Sequence, residues 1–257
     1  MSLININYVC PVPSTLELPR IVYKYREANE LLLRSLLLNQ VWLAKPESFN
    51  DPFEPERIFS GSNFSGALDR DIRESGILCL CKSNSNLPMW SYYGGGLRGV
   101  AIGYDLAGLL ETLTPVSPSS SECSPRWKYI YDLSYNNEEL GEINEIALLQ
   151  NNHLTDLERQ KMFATKSSAY SHEEECRIVV PPSPDSQQGF TWGGHGLYQH
   201  DSSAVREIVF GELTSPQDRQ AIMQIMAGRD VRFFDATRTK HRFEITVSPQ
   251  NESSGNH

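Results

Sequence analysis

Ser171-His172-Glu173-Glu174-Glu175-Cys176-Arg177-Ile178-Val179-Val180-Pro181-Pro182 sets three carboxylates against an apolar strand that two prolines close. Side chains alternate along a strand, so Glu173, Glu175 and Arg177 share one face and Glu174 takes the other. Adjacent carboxylates repel, and the mouth of a strand solvates them poorly. Such a group is either a surface cluster or the working end of a site. Two acids and a guanidinium on one edge can stabilise a developing positive charge, and they can equally form a salt-bridged rim.

Upstream of this stretch, residues 138–166 read as helical. Thr155 with Glu158 makes a capping box, which places a break near Asn151-Asn152. Downstream, residues 181–196 hold Pro, Ser, Gln and Gly and read as a long loop. Glu207-Ile208-Val209-Phe210 is a strand ending at Gly211. Ser215-Pro216 starts a helix that Gly228 stops, and 231–234 and 242–247 are closing strands. Towards the N-terminus, Ile21–Arg26 reads as a strand and Asn29 as the cap of a leucine-rich helix running to Leu38. Val41–Ala44, Ile77–Cys81 and Gly99–Tyr104 are further strands. Pro88–Tyr93 is a helical turn broken by Gly94-Gly95-Gly96, and 127–131 is extended. Residues 60–66 read as a mobile segment and 115–125 as a loop.

Strands and helices do not alternate, which excludes a doubly wound parallel sheet. The expected fold is α+β: a single domain over 20–247 with a mixed, mostly antiparallel or split sheet and flanking helices. Residues 1–19 form an irregular lead-in and 248–257 a flexible tail.

A hydrophobic fraction of 39% and an aromatic fraction of 10% can fill a core of that size. The formal net charge of -9 argues against broad electrostatic capture of nucleic acid or anionic membrane, and leaves room for a local phosphate pocket. The five cysteines, Cys10, Cys79, Cys81, Cys123 and Cys176, are odd in number and form no C-x-x-C pair. A reducing cytoplasm fits them best. The start lacks a signal-peptide pattern, and no stretch approaches the roughly 20 apolar residues that span a bilayer. The six histidines are scattered and no Cys or acid stands at ligand spacing, so no structural zinc site is expected.

Three other strings carry candidate chemistry. Tyr23-Lys24-Tyr25-Arg26 alternates aromatic and basic side chains. It reads as an amphipathic edge strand or as a phosphate grip through Arg26. Phe49-Asn50-Asp51-Pro52-Phe53-Glu54 reads as a rigid turn anchored by its phenylalanines, or as a ligand-facing loop in which Asn50 or Asp51 bonds substrate. Met89-Trp90-Ser91-Tyr92-Tyr93 precedes the triple glycine. Its aromatics are either core or a platform on which a flat ring stacks.

Together these strings resemble the bacterial family of unknown function DUF2971. Its pattern runs K-Y-R, F-N-D-P-F-E, M-W-x-x-Y, G-V, E-x-E-x-R and a late I-x-x-G. This chain supplies Lys24-Tyr25-Arg26, Phe49 to Glu54, Met89-Trp90 with Tyr93, Gly99-Val100, Glu173 with Glu175 and Arg177, and Ile208 with Gly211. Tyr170 and His172 stand where the family tends to carry Trp and Tyr.

The order of elements is also similar to that of ADP-ribosyltransferases. That similarity implies a bacterial transferase that takes NAD as substrate and passes ADP-ribose to a protein or nucleic-acid acceptor, as in stress response, phage defence or toxin action. It implies Glu175 and Glu173 as catalytic acids. Arg26, Tyr25, Asn50, Asp51, Trp90, Tyr93 and Arg177 would bind the nucleotide. Two rival readings are a non-enzymatic sensor or partner-binding module of a defence cassette, and a metal-dependent phosphodiesterase using Asp51, Glu54, Glu173 and Glu175. The sequence leaves the oligomeric state open.

Overall fold

A computed structural model describes residues 18–51, 53–54, 73–116, 128–137, 156–184 and 191–250. In chain order the elements are β1 (Ile21–Arg26), α1 (Glu30–Leu38), β2 (Gln40–Leu43), β3 (Gly76–Cys81), α2 (Leu87–Tyr92), β4 (Val100–Asp105), α3 (Leu106–Thr112), β5 (Thr114–Pro115), β6 (Tyr129–Asp132), β7 (Ser134–Tyr135), α4 (Asp156–Phe163), β8 (Thr165–Lys166), β9 (Glu175–Val180), β10 (Pro182–Pro184), β11 (Thr191–Gly193), β12 (Gly196–Gln199), β13 (Val205–Gly211), α5 (Pro216–Met226), β14 (Arg232–Arg238) and β15 (Ile245–Pro249).

The fold is α+β. Eight strands form one sheet in the order β15-β14-β13-β4-β1-β3-β9-β6, and β2, β12 and β5 form a second, smaller sheet. The large sheet is antiparallel except where β13 and β14, joined through α5, run parallel. It is not uniformly zipped. β1 pairs with β4 along its whole length, from Ile21↔Asp105 to Arg26↔Val100. On its other side β1 meets β3 at a single registered pair, Tyr23↔Cys81. Below that pair β3 takes a different neighbour: Ala44, just past β2, exchanges two backbone hydrogen bonds of 2.9 Å with Ile77. The sheet therefore opens between β1 and β3, and the end of β2 enters the gap.

Local chemistry accounts for the flanking helices. The Asn29 side chain accepts from Leu32 N at 2.9 Å, and Asn39 closes α1 in the left-handed conformation at φ 53. Leu32 and Leu36 of α1 pack on the large sheet with Ile222 and Met226 of α5. Ser215 caps α5, Pro216 fills its first turn, and Gly228 follows its end at φ +78. The opposite face of the sheet buries Tyr23, Tyr25, Cys81 and Trp90. A third cluster joins Ile77, Tyr131 and Val179 to Met162 and Phe163 of α4. Among the described residues no helix is long and apolar enough to cross a membrane.

Several expectations are corrected. The acidic strand begins at Glu175, not Glu173. Glu173 ends a 3-10 turn (Ser168–Glu173) and Glu174 adopts φ 44, so simple alternation does not relate Glu173 to Glu175. The turn is held from outside, where Asn86 Nδ2 donates to His172 O and Lys82 N donates to Glu174 O. Residues 181–196 are not one long loop, since β10 pairs with β11 and β12 begins at Gly196. Lys166 belongs to β8, paired in parallel with β7, and not to a helix. β14 runs on to Arg238 and β15 reaches Pro249, inside the expected tail. α3 was not anticipated. The expected features at 1–17, 60–66, 117–127, 138–155 and 251–257, Thr155 of the capping box among them, lie outside the described residues.

Candidate functional site

The opening between β1 and β3 is a cavity of about 510 Å³. Its floor is a chain of buried charges. Arg177 of β9 is 2% exposed and donates from Nε to Glu175 Oε1 at 2.8 Å and from Nη2 to Glu175 Oε2 at 3.2 Å. The same Nη2 reaches Glu54 Oε1 at 2.6 Å, and Nη1 reaches Phe163 O at 2.8 Å. The guanidinium lies over the Phe49 ring at 4.8 Å. Lys166 of β8 donates to Glu173 Oε2 at 2.7 Å, stands 3.6 Å from Glu175 Oε2, and sits over the Tyr170 ring at 4.6 Å. Tyr93 Oη donates to Glu173 Oε1 at 3.1 Å and accepts from Asn50 Nδ2 at 3.2 Å.

Three carboxylates against two cations leave one negative charge uncompensated in this floor. Burial opposes ionisation of Glu175. The adjacent Arg177 charge and its hydrogen bonds, followed by the Lys166 charge, outweigh burial and hold the carboxyl down at about 2. Glu54 goes the other way, because its burial outweighs Arg177 and Lys166 and raises it above the ordinary carboxylate value. Its Oε2 is buried with no hydrogen-bond partner among the described residues, as is Asp51 Oδ2. Burial and then the Glu173 charge push Tyr93 up to about 12. The floor thus holds one firmly ionised carboxylate beside one that gains a proton more easily.

The opposite wall is β1. Lys24 and Arg26 both line the cavity. Lys24 donates to Cys79 O at 2.9 Å, bridging the opening in the sheet. Neither cation has a carboxylate partner among the described residues. Arg26 is positioned by its backbone. A Cβ on Gly99 would stand 2.0 Å from Arg26 O, so only glycine lets the start of β4 approach this closely. Gly99 O in turn accepts from Gly211 N at 3.0 Å and from Thr214 Oγ1 at 2.7 Å. The two glycine-bearing strings, Gly99-Val100 and Ile208 to Gly211, are thereby joined behind Arg26.

Of the residues named from sequence, Glu173, Glu175, Arg177, Arg26, Tyr25, Asn50 and Tyr93 line this one cavity. Trp90 and Asp51 do not. Trp90 is fully buried, donates from Nε1 to Asn84 O at 2.9 Å and stands edge-on to Tyr25 at 5.1 Å, so it is core. Asp51 turns back on its own loop, accepting from Phe53 N at 2.9 Å. Tyr25 lines the wall with its hydroxyl already donated to Ser83 O. Sequence reasoning missed Lys166, because it appeared to continue a helix. It placed Glu54 only in the metal reading. Among the described residues no group of three or more His, Cys, Asp or Glu is arranged to hold a metal ion. Lys166 and Arg177 instead bridge three of the four carboxylates of that reading, Glu54, Glu173 and Glu175.

Residues 89–178 match the model of the family described as Protein of unknown function (DUF2971). The DUF2971 match runs from Met89 in α2 to Ile178 in β9. It contains Tyr93, Lys166, Glu173, Glu175 and Arg177, which is the floor without Glu54. The strings around Arg26, Phe49 to Glu54 and Gly211 lie outside it. No curated protein and no solved structure matched the chain.

Proposed function

We propose that this chain is an ADP-ribosyltransferase-like enzyme, which binds NAD in the cavity between β1 and β3 and transfers ADP-ribose to a macromolecular acceptor. One observation carries this reading: Arg26, which has no carboxylate partner among the described residues, and the buried Glu173 and Glu175 carboxylates line the same cavity. Breaking the nicotinamide–ribose bond sends its electron pair to the ring nitrogen and leaves oxocarbenium character on the ribose. A fixed anion in a water-poor floor stabilises that charge without reorganising at the moment of reaction. Glu175, held ionised by Arg177, fills this role.

Glu173 receives the proton of the incoming nucleophile as the new bond to the ribose carbon forms. Arg26, with Lys24 beside it, binds the pyrophosphate. Tyr93 packs on the nicotinamide while its hydroxyl orients Glu173. Because Lys166 and Arg177 already neutralise most of the acidic charge, a divalent cation is not required to gather these carboxylates, which favours this reading over the metal-dependent one.

The test is incubation with NAD labelled in its adenylate half, together with whole-cell lysate. The expected result is label on a macromolecule and an equimolar release of nicotinamide. Intact NAD after prolonged incubation contradicts the proposal and leaves the partner-binding module.

A further inference from the structure

The exposed face of β2 contributes an indole to this cavity, and nothing in the proposed reaction uses it. Val41 and Leu43 of β2 point into the core beneath the small sheet, whereas Trp42 points the other way and is 57% exposed. Strand alternation puts Trp42 and Ala44 on the same face, and both line the cavity. That face is where a strand covered on one side normally carries polar side chains. A large aromatic ring left in water at the wall of a concave site marks a surface that another flat group covers.

The position of Trp42 decides which flat group. Tyr93 is tied through its hydroxyl to Glu173, so the ring whose bond is cleaved belongs there. Trp42 stands on a different element, outside that hydrogen-bond network. Lys24 and Arg26, which have no carboxylate partner among the described residues, line the same cavity. A ligand that satisfies an indole face and these cations together is a purine carrying a diphosphate. We propose that Trp42 is the stacking platform for the adenine ring of the nucleotide, with Arg26 and Lys24 taking its phosphates. The inference rests on the nucleotide reading of the cavity and not on cleavage of NAD.

Calorimetric titration with ADP, adenosine and nicotinamide mononucleotide tests it in the full chain. Trp42 is exposed, so Trp42→Ala is expected to keep the circular dichroism spectrum and the melting temperature of the parent. The expected result is weaker binding of both ADP and adenosine to Trp42→Ala, by roughly tenfold or more, since stacking on an aromatic side chain carries about that much. Trp42→Phe, which keeps an aromatic face, restores most of the affinity. Nicotinamide mononucleotide, which has no adenine, binds parent and variant alike. Arg26→Ala weakens ADP and leaves adenosine unchanged.

Unaltered ADP binding by Trp42→Ala overturns the inference, and so does a parent protein that binds no ADP at millimolar concentration. ADP binding that depends on Trp42 in a protein that never releases nicotinamide would remove only the proposed transferase activity.

Discussion

The two sides of the cavity handle charge in opposite ways. On the β9 side Glu54, Glu173, Glu175, Lys166 and Arg177 are nearly inaccessible and bonded to one another. On the β1 side Lys24 and Arg26 line the same space with no carboxylate partner among the described residues. A buried ion pair costs desolvation that its mutual attraction barely returns, so the floor adds little to stability as a whole and a great deal to rigidity. The β1 wall has no such pairing with carboxylates among the described residues, and on the proposed function an anionic ligand completes it. One side is an electrostatic environment fixed at folding; the other carries cations without carboxylate partners among the described residues.

The strongest way to break this contrast is to remove the hub of the floor. Arg177→Leu strands Glu54 and Glu175 as buried charges, and the expected loss is about 3–5 kcal/mol in urea unfolding. A loss below about 1 kcal/mol would mean the floor is not the rigid unit described.

Next in size is Gly99→Ala, whose new methyl meets the Arg26 carbonyl at 2.0 Å. Forcing backbone apart there is expected to cost about 1–3 kcal/mol, in the range of overpacked sites. It is also expected to weaken ADP binding, because Arg26 moves with its carbonyl. Full stability with full binding would refute the positioning role of Gly99.

Acid titration sharpens the contrast within the floor. The folded value of Glu175, about 2, lies below its unfolded value. Its contribution is therefore complete above about 4.5 and is lost as pH falls towards 2. Glu54 is raised, so it opposes this: protonating it relieves the folded state as pH falls through its elevated value. Urea unfolding across pH 6 to 2.5 is expected to fall steeply in Glu54→Gln, where Glu54 no longer opposes the Glu175 effect, and more gradually in the parent. Equal slopes would mean that the two carboxylates do not differ in the way described.

The smallest effect is expected outside the cavity. Lys82 and Asp132 pair at 2.6 Å across neighbouring segments but are partly exposed. Asp132→Asn should cost under about 1 kcal/mol, as partly solvated pairs do. A cost matching that of Arg177→Leu would show that burial is not what distinguishes the floor.

Legibility in the sequence followed the range of each interaction. Caps and punctuation are local, so Asn29, Ser215-Pro216 and Gly228 marked their helices directly. Continuous apolar runs at Ile77–Cys81 and Gly99–Tyr104 marked strands. The Glu173–Glu175 relation was misread because the turn holding Glu173 depends on Asn86 and Lys82, some ninety residues away. Lys166 was missed for a similar reason: two-residue β8 exists only because β7 lies beside it. Trp90 and Tyr93 are three residues apart in one aromatic string, and nothing local says that one enters the core while the other lines the cavity.

The central claim is that the two sides act on one NAD molecule, β1 by binding and the acids by chemistry. Steady-state nicotinamide release from NAD tests this directly in the parent, Arg26→Ala and Glu173→Gln. The expected split is a KM raised roughly tenfold or more with kcat little changed for Arg26→Ala, and a kcat lowered about 10²–10³-fold with KM little changed for Glu173→Gln. Nicotinamide release at the parent rate by both variants, or by none of the three proteins, would contradict the account.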